Sequence, residues 1–247
     1  MTATLAPLER LRGGLVVSCQ AQQDNPLHGP AMMAVMATAA VKGGAIGIRA
    51  NGAADVAAIR HTVDVPILGI NKVVDSRGQV FITPTAASAR EVIAAGATLV
   101  ALDGTTRARP GGETLAGVIA AIHAAAAVAL ADVATLRDGL YAIECGADAV
   151  GTTLSGYTDD SPRAEEPDFD LLRELVSLNR VPVFAEGRIW TGDDAHRAMA
   201  LGASFVVVGT AITNPMAITR RFADAVRAGE MHPSPAGRDS QQTGETR

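Results

Sequence analysis

Aromatic residues are scarce in this sequence, at 3% of 247 residues, although hydrophobic residues reach 48%. A base-stacking surface needs aromatics and a phosphate-backbone footprint needs excess basic charge. The formal charge is −5, so nucleic-acid binding is not expected. Cysteine is equally sparse. Cys19 and Cys145 stand in apolar runs without metal-ligand spacing, and the five histidines form no such spacing either. Reduced core thiols are expected, with no metal and no redox cofactor. The sequence contains no Walker A loop and no dinucleotide fingerprint. Residues 1–12 lack the apolar segment of a secretory signal. The apolar stretch 115–131 is mostly Ala, carries His123 and runs into Asp132, which suits a helix leading into a buried strand rather than a membrane span. A cytoplasmic location without membrane association is the resulting expectation.

What the chain does have is small and branched aliphatic residues and 25 glycines. Eight short apolar runs recur at 15–19, 45–49, 66–70, 98–102, 128–132, 149–153, 182–186 and 205–209. They lack polar alternation, so they predict strands buried on both faces. Helical patterns separate them, as at 30–42, 86–95, 113–126, 168–178 and 192–201. Strands alternating with helices require crossovers and a parallel sheet. Gly43, Gly96, Gly146 and Gly202 recur at intervals of 53, 50 and 56 residues, each about two βα units, and each is expected to take the left-handed position that ends a helix. The predicted fold is therefore one (β/α)8 TIM barrel over residues 1–228, preferred to a doubly wound open sheet. Residues 229–247 are polar and read as a loose tail.

In such a barrel the reacting groups sit at strand C-termini. Those positions supply Gln20, Arg49, Lys72, Asp103, Asp132, Thr152, Glu186 and Gly209. Lys72 follows the third strand and Glu186 ends the seventh, so the two are expected to flank a small substrate across the mouth. Arg49 would lower the pKa of Lys72 toward a usable base, while Glu186 and Asp132 would raise it; spacing alone does not rank these effects. Structural ion pairs remain an alternative role for Arg49, Asp103 and Asp132. Gly151-Thr152-Thr153, Gly187-Arg188, Gly209-Thr210 and Gly192 opening a helix suggest a phosphorylated ligand, because glycine lets backbone N–H groups approach an anion. Gly187, Arg188, Gly209 and Thr210 are the candidate phosphate contacts. Thr152, with Tyr157 in the loop after it, is a candidate substrate contact.

The phrases LRGGLVVSCQ (11–20), GGAIGIRANG (43–52), ALDGTTRARPGGETL (101–115), ADVATLRDG (131–139), VGTTLSGYT (150–158), FAEGRI (184–189) and VVVGTAITNP (206–215) resemble the bacterial N-acetylmannosamine-6-phosphate 2-epimerases, in order from about residue 11 to 228. The resemblance implies conversion of N-acetylmannosamine 6-phosphate to N-acetylglucosamine 6-phosphate in amino-sugar and sialic-acid breakdown. It places the catalytic lysine on Lys72, its acidic partner on Glu186, and substrate contacts on Gln20, Arg49 and Asp132. Asn71, Gly104, Ala134 and the loop VVDSRGQ depart from the pattern. A Schiff-base lyase using Lys72 and a non-catalytic sugar-phosphate sensor are the competing readings. The segment 215–228, with Ile218 and Phe222, is a candidate homodimer face, with core packing as the equal alternative.

Overall fold

A computed structural model describes residues 5–161 and 163–230. Eight parallel strands close into a barrel with helices between them, which is the (β/α)8 TIM-barrel fold. Strands 1 to 8 are Leu15–Cys19, Gly47–Asn51, Ile67–Ile70, Leu99–Asp103, Val128–Asp132, Ala149–Gly151, Val183–Glu186 and Phe205–Val208. Each pairs with its sequence neighbour, and strand 1 closes on strand 8 through Leu15 opposite Val206. Strands 3 and 7 therefore lie four places apart in the ring.

Two apolar layers follow from side-chain alternation. Outward-facing residues such as Val17, Ile48, Val100, Ala129 and Val150 pack under the helices. Inward-facing Val16, Leu68, Leu99, Leu130, Phe184 and Phe205 fill the barrel. Phe184 and Phe205 stack with centroids 5.1 Å apart. They leave no room at Gly151, where a Cβ would stand 2.1 Å from Phe184. The N-terminal turn adds Leu8 and Leu11 to this interior cluster. Burial pushes the Cys19 thiol up to about 12, as expected for an inert core thiol.

The helices start where capping residues fall. Thr85, Thr114, Thr135, Asp168 and Thr191 each accept from the backbone N–H three residues on. These caps trim the expected spans: the helix read over 113–126 is Leu115–Ala124, and that read over 168–178 is Phe169–Ser177.

Four expectations need correction. Strand 2 runs Gly47–Asn51 rather than 45–49, because Ala50 and Asn51 continue the ladder opposite Gly69 and Ile70. Strand 6 stops at Gly151, and Thr152–Leu154 form a 3-10 turn pinned by Leu154 N–H on the Val133 carbonyl. At the first of the repeated helix ends it is Gly44, with φ 105°, that takes the left-handed conformation, whereas Gly43 stays right-handed. The segment after Lys72 is not a loop but a hairpin, Lys72–Val74 paired antiparallel with Val80–Ile82. The last helix extends through Glu230. Residues 231–247 of the expected tail lie outside the described residues.

Candidate active site at the barrel mouth

The mouth is built from alternating inward positions of neighbouring strands. Arg49 lies two residues inside the end of strand 2, so its guanidinium is 1% exposed. It donates to both carboxylate oxygens of Asp132, at 3.1 and 2.7 Å, and to Glu186 Oε2 at 2.6 Å. One cation thus joins the ends of strands 2, 5 and 7. A bidentate fork of this kind is the geometry Arg offers and Lys cannot. Burial disfavours the Arg49 charge, but Asp132 and Glu186 outweigh it and raise its pKa. Among the described residues, the buried Arg49 Nε has no partner.

Glu186 is squeezed between opposing effects. Burial pushes its carboxyl up, Arg49 pulls it down, Asp132 pushes it up again, and the result stands at about 7. A carboxyl in that range can both accept and give a proton near neutrality. Lys72, on the hairpin after strand 3, stands next to strand 2 and four strands from Glu186, exposed to solvent but within the fields of Arg49, Glu186 and Asp132. Burial and then Arg49 lower its pKa, against Glu186 and Asp132. The balance left open by the sequence therefore falls toward a more basic-ready, less charged lysine. Among the described residues the Lys72 side chain makes no ion pair. Its backbone N–H is held by Asn51 Oδ1 at 2.9 Å.

A profile described as "Putative N-acetylmannosamine-6-phosphate epimerase" matches residues 33–228. The chain belongs to this epimerase family. A relative from Cutibacterium acnes, named "Putative N-acetylmannosamine-6-phosphate 2-epimerase", is 50% identical over 220 residues, covering 88% of this chain and 95% of that one. The solved N-acetylmannosamine-6-phosphate 2-epimerase from Clostridium perfringens is 44% identical, with a TM-score of 0.86 over 88% of this chain and 95% of that one. A thiamine phosphate pyrophosphorylase from Pyrococcus furiosus matches at 19% identity and a TM-score of 0.57, a likeness of fold alone.

In this epimerase-family barrel the remaining candidates fall into distinct places. Gln20 directly follows strand 1 and donates to Ser18 Oγ at 2.7 Å. Thr152 is buried, and its hydroxyl both donates to the Glu186 carbonyl and accepts from the Glu186 N–H. It fastens strand 6 to strand 7, and its neighbour Thr153 is the one whose hydroxyl meets the carboxylates. Tyr157 is 64% exposed, with the Arg188 guanidinium 5.6 Å over its ring. Arg188 donates to the carbonyls of Ser155 and Glu166, so its side chain ties down the loop after strand 6. A cleft of about 350 Å³ lined by Gly156, Tyr157, Thr158, Arg163 and Arg188 opens there, beside the Lys72–Glu186 space rather than in it.

Among the described residues, the backbone N–H groups of Gly187, Arg188, Gly209 and Thr210 have no protein acceptor. Gly187 and Arg188 both have positive φ, 108° and 58°, which turns the chain sharply after strand 7. Such unsatisfied donors at adjacent strand ends suit an anion. The Gly192 N–H likewise has no protein acceptor among the described residues, but its surroundings are acidic. The Asp194 carboxylate takes the N–H groups of Trp190 and Thr191, and two acidic residues occupy that helix start. Asp103 is a structural group, accepting from Thr105 and, at 2.5 Å, from Arg107. Asn51 was not singled out from sequence, and Thr153 entered only within the Gly151-Thr152-Thr153 phosphate reading. Asn51 lies two residues beyond Arg49 on the same strand, and that period-2 spacing carried the signal.

Proposed function

We propose that this protein interconverts N-acetylmannosamine 6-phosphate and N-acetylglucosamine 6-phosphate by inverting C2. The observation that carries the reading is Lys72 at the same mouth as, and within the field of, the Arg49–Asp132–Glu186 network. C2–H of the closed ring is not appreciably acidic, so the hemiacetal opens first, and Glu186 near 7 is suited to move that proton. The C1 aldehyde then acidifies C2–H. Lys72, its charge disfavoured by burial and by Arg49, removes the proton in its neutral form. The fixed charge of Arg49 stabilises the developing enolate, and reprotonation on the other face completes inversion. The free N–H groups of Gly187, Arg188, Gly209 and Thr210 are the proposed phosphate seat. Gln20 and Tyr157 are the proposed contacts to the rest of the sugar.

The reaction places deuterium from D2O at C2 of both sugars at a rate matching epimerisation, which proton NMR reads directly. Turnover without C2 exchange rules out the enolate route. Trapping of a sugar adduct on Lys72 by borohydride would point to the Schiff-base lyase instead.

Two features of the setting belong to the same proposal. The free thiols Cys19 and Cys145 fit the reducing cytoplasm. A second copy of the chain is proposed to cover the terminal helix Pro215–Glu230, on which Met216, Phe222 and Val226 are exposed by 40%, 69% and 63%. Light scattering at micromolar concentration gives the dimer mass if so, and Phe222→Glu shifts it to the monomer.

A further inference from the structure

Two carboxylates and one guanidinium share the mouth, and their donors are divided unequally. Asp132 accepts three hydrogen bonds: from Arg49 at 3.1 and 2.7 Å, and from Thr153 Oγ1 at 2.5 Å. Glu186 Oε2 accepts one close bond from Arg49, at 2.6 Å, and stands 3.4 Å from the same Thr153 hydroxyl. A threonine hydroxyl has a single hydrogen to give. Where that hydrogen goes decides which carboxylate is better satisfied.

Resting on the epimerase reading above, we propose that Thr153 is a positioning residue for the proton step: its one hydroxyl hydrogen, held on Asp132, selects Glu186 as the carboxylate that takes and gives the proton. Two facing carboxylates behave as a coupled pair, so an asymmetry in donors is needed to direct a proton to one of them. The groups facing Glu186 are Arg49 from strand 2, Lys72 from the hairpin after strand 3 and Asp132 from strand 5. Arg49 begins the asymmetry, with two bonds to Asp132 against one to Glu186, and Thr153 completes it by adding a third donor to Asp132. Thr153 is fixed for this purpose. It lies in the 3-10 turn Thr152–Leu154, held on one side by Leu154 N–H to the Val133 carbonyl and on the other by Thr152 to the Glu186 backbone.

The test compares Thr153→Val, Thr153→Ser and the parent protein. Carbon-13 carboxyl NMR follows Glu186 in the free protein, with its signal assigned by its loss in Glu186→Gln. The acid limb of kcat for N-acetylmannosamine 6-phosphate is recorded alongside. Removing the donor held on Asp132 draws the proton of the coupled pair toward Asp132 and away from Glu186. The Glu186 midpoint, near 7 in the parent, should fall by roughly half to one unit in Thr153→Val, a change of about three- to tenfold in the charged fraction on the acid side. The acid limb should move with it, and Thr153→Ser should restore both. If Val does not fold, Thr153→Ala removes the same hydroxyl with less bulk. A midpoint that stays in place in the Val or Ala variant, or that Ser does not restore, overturns the proposal even if kcat falls. A parent that titrates as expected but shows no C2 exchange removes the epimerase reading, and with it the catalytic role of Thr153, while an intact Thr153 effect on the Glu186 titration shows that it is that reading which failed.

Discussion

Two parts of the barrel mouth are built in opposite ways. In one part, Arg49 and Asp132 are buried and Glu186 half-buried, joined from strands 2, 5 and 7 and locked by five hydrogen bonds or close contacts that include Thr153. In the other, Lys72 stands on the hairpin after strand 3, held through its backbone by Asn51 of the adjacent strand 2 and with its side chain unpaired among the described residues. The locked side fixes charge in advance, which is how an enzyme avoids reorganising dipoles during reaction. The open side keeps a long side chain movable, as a group that must meet C2 on either face requires. Burial lowers the cost of a neutral lysine there. The difference teaches that electrostatic support and proton transfer are assigned to different mechanical environments.

The largest effect should come from the open side. Lys72→Ala is expected to lower kcat by roughly 10³- to 10⁴-fold while leaving the thermal midpoint unchanged, because the exposed ammonium makes no ion pair among the described residues. Thermal shift and C2 exchange, measured together, check it. A large loss of stability would break the comparison by showing Lys72 to be part of the locked network.

Arg49→Met tests the locked side. It leaves Asp132, 0% exposed, facing Glu186 without a counter-charge. The expected cost is about 3–5 kcal/mol in urea unfolding, with kcat down by roughly 10²- to 10³-fold. Near-normal stability would mean the network is not structural.

Glu186→Gln sharpens the point through pH. The folded-state carboxyl titrates at about 7 against an ordinary value of 4.5. Its protonated form is favoured by the fold, so this contribution is fully present below about 4.5 and is lost as pH rises through about 7. The Gln variant should lose that part of the slope of melting temperature between pH 5 and 8, and kcat should fall by about 10²-fold with its acid limb flattened. An unchanged slope would place the titrating group elsewhere.

Asn51→Ala should do least. Losing one backbone anchor at Lys72 is expected to reduce kcat by roughly tenfold or less, with stability down by about 1 kcal/mol. An effect as large as that of Lys72→Ala would show that the hairpin, too, is rigidly set.

The sequence by itself determined the barrel. Continuous apolar strands, intervening helices and the repeated glycine before alternate strands left few other ways to bury both strand faces. It also placed Lys72 and Glu186 on opposed strands, because that follows from counting to eight. Tertiary structure alone decided the rest. Period-2 alternation turned Arg49 inward only once strand 2 was known to run through Asn51, two residues past the apolar run. The short 3-10 turn after Gly151 gave Thr152 to the backbone of strand 7 and Thr153 to the acids, although the two threonines are indistinguishable in sequence. Arg188 reads from sequence as a phosphate ligand, yet its side chain secures a loop, because the carbonyls of Ser155 and Glu166 lie within reach. The hairpin after Lys72 depends on antiparallel partners that only folding brings together. In each case the deciding quantity was a distance between residues far apart in the chain, and hydrogen bonding falls away within about an ångström of its optimum.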